Sequence, residues 1–318
     1  MGDILKYRIP NHDLVEQKGT FQEIDNFRNI SGFVLTTFDK KKKYHFNPSN
    51  ASEELSFSLE KPLCYTKKEY TDLATSFLEA IKDQCLSKAI FSRVKHAAFD
   101  SEPNDLFRQL CLAYPEAFVY FVSSPLFGTW IGASPEILIE TQGNTAKTIS
   151  LAGTLKRDSH EFWENKEKNE QDFVTRFITS KLVESNVENL DISGQHEINA
   201  GPVRHLKTAF QFDLGLNSAI DIAERLHPTP AVSGFPQQEA IDLIGKSEKH
   251  YRKLYAGMIG VIDNDSTKLF VNLRCAEIIH NQAYLYLGGG FTKDSNIESE
   301  WIETENKAKT LLNVMKKQ

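Results

Sequence analysis

Leu226-His227-Pro228-Thr229-Pro230-Ala231-Val232-Ser233-Gly234-Phe235-Pro236 is the most unusual stretch of this 318-residue chain. Prolines at 228 and 230, closed by a glycine at 234, enforce one rigid loop, and rigid loops commonly position ligands. Gly288-Gly289-Gly290 stands between the strand-like run Ala283–Leu287 and a helix expected to start near Ser295. Glycines there let backbone N–H groups approach an anion, since no Cβ obstructs them, although a tight turn fits the same residues. No lysine follows as in a P-loop and the G-x-G-x-x-G spacing is absent, so nucleotide binding gains little support.

Outward from these two segments, strands and helices mix along the whole chain. Residues 1–62 read as strand-rich, with Gly32–Phe38 and Tyr44–Phe46 flanking a lysine run, and Leu55, Phe57 and Leu59 alternating with polar residues. Lys40–Lys43 reads as a charged hairpin tip rather than a phosphate patch. Thr66 and Glu69 form a capping box before Leu73, Phe77, Ile81 and Cys85, which recur at helical spacing. Strands are expected at Lys88–Arg93, Ala117–Val122, Thr129–Ile131, Ile137–Glu140 and Thr148–Leu151. Asp158 with Glu161 and Ser295 with Glu298 offer boxes for two further long helices, the first to about Glu184. One α/β (α+β) domain over residues 1–318 is predicted.

Composition narrows the function. The charge sum of −6 gives no positive field for nucleic acid or an anionic membrane, and no apolar run approaches the roughly 20 residues of a membrane span. The start, MGDILKYRIP, lacks a signal-peptide apolar block, and Cys64, Cys85, Cys111 and Cys275 form no C-x-x-C pair. A cytoplasmic enzyme with reduced thiols is expected.

Two helices carry acids on apolar stripes. Glu170 heads the stripe Phe173, Val174, Phe177 and Ile178, a costly place for a carboxylate without a cation or donors. Glu300, Glu303 and Lys307 share one helix face continued by Leu311 and Val314. Spacing leaves two readings open: an exposed Glu303–Lys307 bridge worth about 0.3–0.5 kcal/mol, or three glutamates converging on a hard cation such as Mg²⁺.

The rigid loop, Tyr255-Ala256-Gly257 with Gly260, Leu273-Arg274-Cys275-Ala276, the triple glycine and Glu300-Trp301-Ile302-Glu303-Thr304 together resemble the chorismate-utilising enzymes. Lys88–Arg93, Gly132–Glu136, Leu151–Thr154, Lys166–Glu170 and His205-Leu206 fit the same pattern in order, so the likeness spans Lys88 to Met315. Residues 1–87 match only vaguely and look short for the family. The resemblance implies two facing antiparallel sheets with helices packed outside, chorismate as substrate and Mg²⁺ as cofactor. The loop and Lys88 resemble the isochorismate synthase branch, whose lysine activates water. Ala152 stands where the aminodeoxychorismate branch has a nucleophilic lysine, so neither ammonia chemistry nor a glutamine amidotransferase subunit is expected, and the chain is expected to act as a monomer.

By this resemblance Lys88 is the base and Glu136 the acid that protonates the departing C4 hydroxyl; Ala133, Pro135, Ile137 and Leu138 are the apolar setting a raised carboxyl pKa requires. Glu170 and Glu303 resemble metal ligands, with Glu300 a third ligand or an acceptor through water. Arg274 and Lys307 resemble carboxylate partners; Gly153, Thr154 and Gly290 resemble substrate contacts, and His205 a ring-side histidine. Gln171, where histidine is usual, Asn169, and Phe291, where isoleucine is usual, depart from the pattern. Phe291 is expected to narrow the pocket near the enolpyruvyl group. A salicylate synthase and a chorismate-binding paralogue without turnover are the alternatives. Menaquinone is the favoured pathway, ahead of a siderophore or salicylate.

Overall fold

Alternating apolar and polar residues over short runs make strands, and most of this chain follows that rule. The computed structural model describes residues 2–58, 60–156, 163, 165–200, 203–263 and 265–316; the side chains of 152–156, 165–170, 199, 200, 203 and 205 lie outside that description. Strands β1 (Asp3–Arg8), β2 (Leu14–Ile24), β3 (Gly32–Thr36) and β4 (Lys43–Pro48) come first. Helix α1 (Lys67–Asp83) leads into β5 (Lys88–Ala98), and α2 (Pro103–Ala113) into β6 (Phe118–Ser124), β7 (Gly128–Ser134), β8 (Ile137–Gln142) and β9 (Thr145–Lys156). Next come α3 (Asn165–Glu184), β10 (Glu188–Ile192), β11 (His196–Ala200), β12 (Val203–Asp213), α4 (Ala219–Leu226), β13 (Gly234–Phe235) and α5 (Gln237–Ser247). The last elements are β14 (Met258–Ile262), β15 (Lys268–Val271), β16 (Cys275–Ile279), β17 (Gln282–Phe291) and α6 (Ile297–Met315).

Every ladder between these strands is antiparallel. One run reads β13-β5-β17-β16-β7-β6-β1. A second reads β4-β3-β14-β15-β8-β9-β12, with β10 and β11 both on the far side of β12. The long strand β2 joins them: Leu14–Gly19 pairs with β1 and Gly19–Ile24 with β4. Only glycine fits at that corner, because a Cβ on Gly19 would lie 2.1 Å from the Asn47 carbonyl. The runs fold face to face, Phe118 stacking on Phe270 at 4.5 Å and Tyr120 donating to Asn272 Oδ1 at 2.8 Å. One core fills the space between them, and a second lies where α2 and α6 cover Val119, Phe121, Ile131, Leu285 and Leu287. Helix α3 lies on β9 and β12, and α4 on β8. This is the architecture the resemblance implies, and no described helix is long and apolar enough to cross a membrane.

Local signals hold for α1, whose Thr66–Glu69 box closes in both directions at 3.2 and 2.8 Å. Cys85 falls beyond that helix, in a left-handed conformation. The Asp158–Glu161 box lies outside the described residues, although its helix is α3 and Val174, Phe177 and Ile178 are buried as expected. At α6 the cap is Asn296, whose Oδ1 accepts from Ser299 N at 2.9 Å; Ser295 instead donates to Glu300 at 2.9 Å. Leu55–Phe57 forms no strand, because Ser56 is tied through Ser123 and Thr129 hydroxyls to β6 and β7 rather than through a ladder; Leu59 lies outside the described residues. The lysine run is more than a hairpin tip. Lys40 Nζ donates to the Glu224 and His227 carbonyls at 3.1 and 2.8 Å and Lys43 pairs with Glu224, so two cations cap the C-terminal end of α4.

Phe291 does not face the pocket. It pairs with Ala89 and packs edge-on against Phe77 and Phe91 beneath α1, at 5.7 and 6.1 Å. Phe291→Ala is expected to cost about 3–5 kcal/mol of stability, the usual price of emptying a buried aromatic site. Urea unfolding measures it, and a loss below about 1 kcal/mol would contradict this packing.

Candidate active site

The triple glycine is neither a turn nor a loop but the end of β17, in register with β5: Gly288 opposite Ser92, Gly289 opposite Phe91, Gly290 opposite Ile90. Side chains alternate across a strand, so Lys88, Ile90 and Ser92 share the face of Gly288 and Gly290, while Gly289 shows its other side to α6. Each missing Cβ makes room for a different group. A Cβ at 288 would stand 2.8 Å from the Tyr255 hydroxyl, at 289 3.0 Å from Glu300 Oε2, and at 290 2.9 Å from Lys88 Cε.

Lys88 begins β5 and is buried. The rigid loop closes directly beside it: Ser87 N donates to Phe235 O at 3.0 Å, Ile90 N to Ser233 O at 2.9 Å, and β13 pairs Phe235 with Lys88. Gly234 sits at φ +139°, where a Cβ would strike the Lys88 carbonyl at 2.2 Å, so this position admits only glycine. Arg252 holds the loop from behind, donating to Val232 O at 2.8 Å and Ile90 O at 3.0 Å while paired with Glu248.

Glu136 follows β7, its backbone carbonyl accepting from Val271 N at 3.0 Å. Burial raises its carboxyl pKa from the ordinary 4.5 to about 7; Arg274, a hydrogen bond from Thr229, Lys88 and Lys307 pull the other way. Thr229 Oγ1 stands 3.4 Å from Glu136 Oε1. Of the apolar neighbours, Ala133 and Leu138 are buried, Ile137 is half-buried and Pro135 is exposed, and Lys88, Arg274 and Lys307 act on the acid electrostatically. Burial likewise draws the Arg274 guanidinium below its ordinary range, against the pull of Tyr255, Glu303, Glu136 and Tyr114.

On α6, Lys307 donates to the Gly288 carbonyl at 2.8 Å and pairs with Glu303 at 2.5 Å. The bridge between these two residues thus exists as the exposed reading has it, with the Glu303 side chain 47% exposed, while Lys307 also rests on the glycine strand. Glu300 is buried one turn earlier, against Gly289 and Ser295. Gly153 and Thr154 fall on β9, His205 on β12 and Glu170 on α3, with their side chains outside the described residues. The β9–β12 register sets Ala152 opposite Leu206, so the Leu151–Thr154 and His205-Leu206 motifs are neighbours. Among the described residues no three His, Cys, Asp or Glu side chains converge as a metal site; the Glu170 side chain lies outside the described residues.

Two groups escaped assignment from the sequence. Tyr255 stands in a motif that gives it no role; its buried hydroxyl, with pKa raised by burial, faces Gly288 near Arg274. In sequence, Thr229 is distinguished only as part of a rigid loop. The chemical signal for both was present, a hydroxyl inside a quoted motif, but its direction depends on contacts far away in sequence.

The pKa of Glu136 makes a prediction independent of turnover. The folded protein keeps this proton up to about pH 7, whereas an unfolded chain releases it near 4.5. Folding therefore takes up a proton between these values, and stability falls as pH rises through that window. Glu136→Gln cannot titrate, so the melting temperature of the variant minus that of wild type should increase by at least about 2 °C from pH 4.5 to pH 8. A difference that stays constant in calorimetry across this range would rule out the raised pKa.

Comparison with known proteins agrees with this geometry. Residues 19–316 match the family model described as chorismate binding enzyme. The chain is 32% identical over 245 residues to isochorismate synthase EntC of Escherichia coli K12, covering 72% of this chain and 62% of that protein. It is 36% identical over 199 residues to isochorismate synthase MenF of Bacillus subtilis, covering 59% of this chain and 42% of that protein. The chain thus spans less than two thirds of the length of these curated relatives. A crystal structure from Bacillus anthracis, described as a 2,3-dihydroxybenzoate-specific isochorismate synthase, superposes with a TM-score of 0.84 at 25% identity, over 99% of this chain and 96% of that one. With the family model matching nearly the whole sequence, the chain belongs to the chorismate binding enzyme family.

Proposed function

We propose that this chain is an isochorismate synthase, interconverting chorismate and isochorismate by entry of water at C2 and departure of the C4 hydroxyl. The observation that carries this reading is the gathering of Lys88 and Lys307 about the β17 glycines, with Arg274 and both lysines acting on Glu136, a carboxyl whose pKa desolvation pushes up to about 7. Water is a poor nucleophile and hydroxide a poor leaving group, so the exchange needs a base on one side of the ring and an acid on the other. Lys88 takes a proton from the incoming water, and Glu136 gives one to the departing hydroxyl, which leaves as water. In the reverse direction the roles exchange. Arg274, with Tyr255 beside it, suits the enolpyruvyl carboxylate, where a guanidinium pairs through two parallel hydrogen bonds. Gly153, Thr154, Gly290 and His205 complete the substrate contacts, and Ala152 offers no competing nucleophile.

Glu170, Glu300 and Glu303 are the residues to hold Mg²⁺. Carboxylate oxygens are the donors this hard cation takes, and no soft ligand competes among the three. When bound, the ion supplies positive charge that offsets these acids and anchors the ring carboxylate. The protein is proposed to work as a monomer in the cytoplasm without an amidotransferase partner. Because the bulk of Phe291 is directed at α1, it gives no support to pyruvate elimination as in a salicylate synthase.

Purified protein given chorismate and Mg²⁺ should yield a chorismate–isochorismate mixture, approached from either side and resolved by chromatography. Lactate dehydrogenase coupling should register little pyruvate, ammonium should give no amino product, and excess EDTA should stop turnover. Lys88→Ala and Glu136→Gln should each lower turnover by roughly 10²-fold or more. Stoichiometric pyruvate and salicylate would overturn the assignment, and a rate within about threefold of wild type in either variant would remove that residue from its role.

A further inference from the structure

Thr229 is the one polar side chain of the 226–236 loop whose hydroxyl meets Glu136, Oγ1 to Oε1 at 3.4 Å. Its backbone has no latitude. The Thr229 carbonyl accepts from Val232 N, Ser233 N and Ser233 Oγ, each at 2.9 Å. On one side Pro228 O is held by Gln237 Nε2 at 2.7 Å, and His227 O by Lys40 Nζ at 2.8 Å. The side chain itself is buried. A rigid frame therefore aims this hydroxyl at the carboxyl, leaving rotation about χ1 as its main freedom.

From this geometry we infer that Thr229 is a positioning residue for Glu136, holding the carboxyl oriented before proton transfer and stabilising the carboxylate afterwards. The inference rests on the reading of Glu136 as the acid. Three cations face the same carboxyl from three elements: Lys88 from β5, Arg274 from the turn between β15 and β16, and Lys307 from α6. Each draws the carboxyl toward itself, whereas Thr229 adds a short-range directional contact from the loop. At 3.4 Å the contact is weak while the acid is neutral, since O–H···O bonds centre near 2.7–2.8 Å. A hydroxyl donating to a carboxylate contracts to about 2.5–2.7 Å and roughly doubles in strength. The bond thus grows as the proton leaves, and an interaction stronger after transfer than before lowers the barrier instead of merely tightening binding. The Thr229 proton stays on its oxygen throughout; the transferred proton passes from Glu136 to the departing C4 hydroxyl.

Thr229→Val keeps the shape and removes the donor. It should lower kcat about 10-fold or more, the scale for one hydrogen bond to a charged group, with the KM for chorismate within about threefold. The carboxylate loses a donor, so Glu136 holds its proton to higher pH and the alkaline limb of the kcat profile should move upward. Thr229→Ser should restore both rate and limb. If the valine variant fails to fold, Thr229→Ser against Thr229→Ala provides the same comparison. A wild-type rate and limb in the valine or alanine variant, or a serine variant as impaired as they are, would overturn the inference. Glu136→Gln separates the two levels: if it retains the wild-type alkaline limb, the acid assignment itself is lost. A limb abolished by that change yet unmoved without the Thr229 hydroxyl removes Thr229 alone.

Discussion

Arg252 makes the contact on which the site depends. Its guanidinium spans from the Val232 carbonyl in the rigid loop to the Ile90 carbonyl in β5, and Glu248 neutralises it from one helical turn's distance in sequence. Glu248 also accepts from Ser92 N at 2.7 Å, so the ion pair grips β5 at two successive points. Such a pair is a poor source of net stability, because desolvating two charges offsets most of their attraction. Its effect is geometric. Removing either partner would strand a buried charge, at about 3–5 kcal/mol, so the loop has one low-energy seat beside Lys88.

That seat gives the facing sheets a chemical purpose. Desolvation of the half-buried Glu136 raises its pKa, and the loop carries Thr229 to the same carboxyl. Were burial the only influence, the acid would be too weak to release its proton readily; were the cations dominant, it would be ionised before substrate arrived. Their opposition leaves a pKa near the working pH, where a group can both give and recover a proton. Neither the apolar walls nor the charges alone produce this, and they come from elements far apart in the chain.

Distance along the chain also decides what the sequence makes legible. Strands β5 to β9 and helices α1, α3 and α6 announce themselves through local periodicity and caps, and the motif residues identify the family. The dual pairing of β2 is invisible locally, because Gly19 matters only once Asn47 lies against it. Ser295 looks like a cap until Glu300 takes its hydroxyl, leaving the turn to Asn296. Phe291 misleads for a different reason: one residue separates the two faces of a strand, and Gly290, not Phe291, lies on the face of Lys88.

The same alternation explains why three glycines in a row belong in a strand where each lowers β propensity. With side chains, β17 would hold Lys88 and Tyr255 on one face and α6 on the other further apart. As bare backbone it brings Lys88 and Tyr255 close on one face and Glu300 close on the other. Lys307 then reaches the Gly288 carbonyl, while Arg93, stacked at 3.8 Å on Trp301 and bonded to Thr304 at 2.8 Å, fixes α6 to β5. Lys88 of β5 and the acids of α6 are thus held on either side of a single backbone, that of β17. Lys88 and Glu300 approach one strand from opposite faces without meeting, because the backbone between them cannot be displaced.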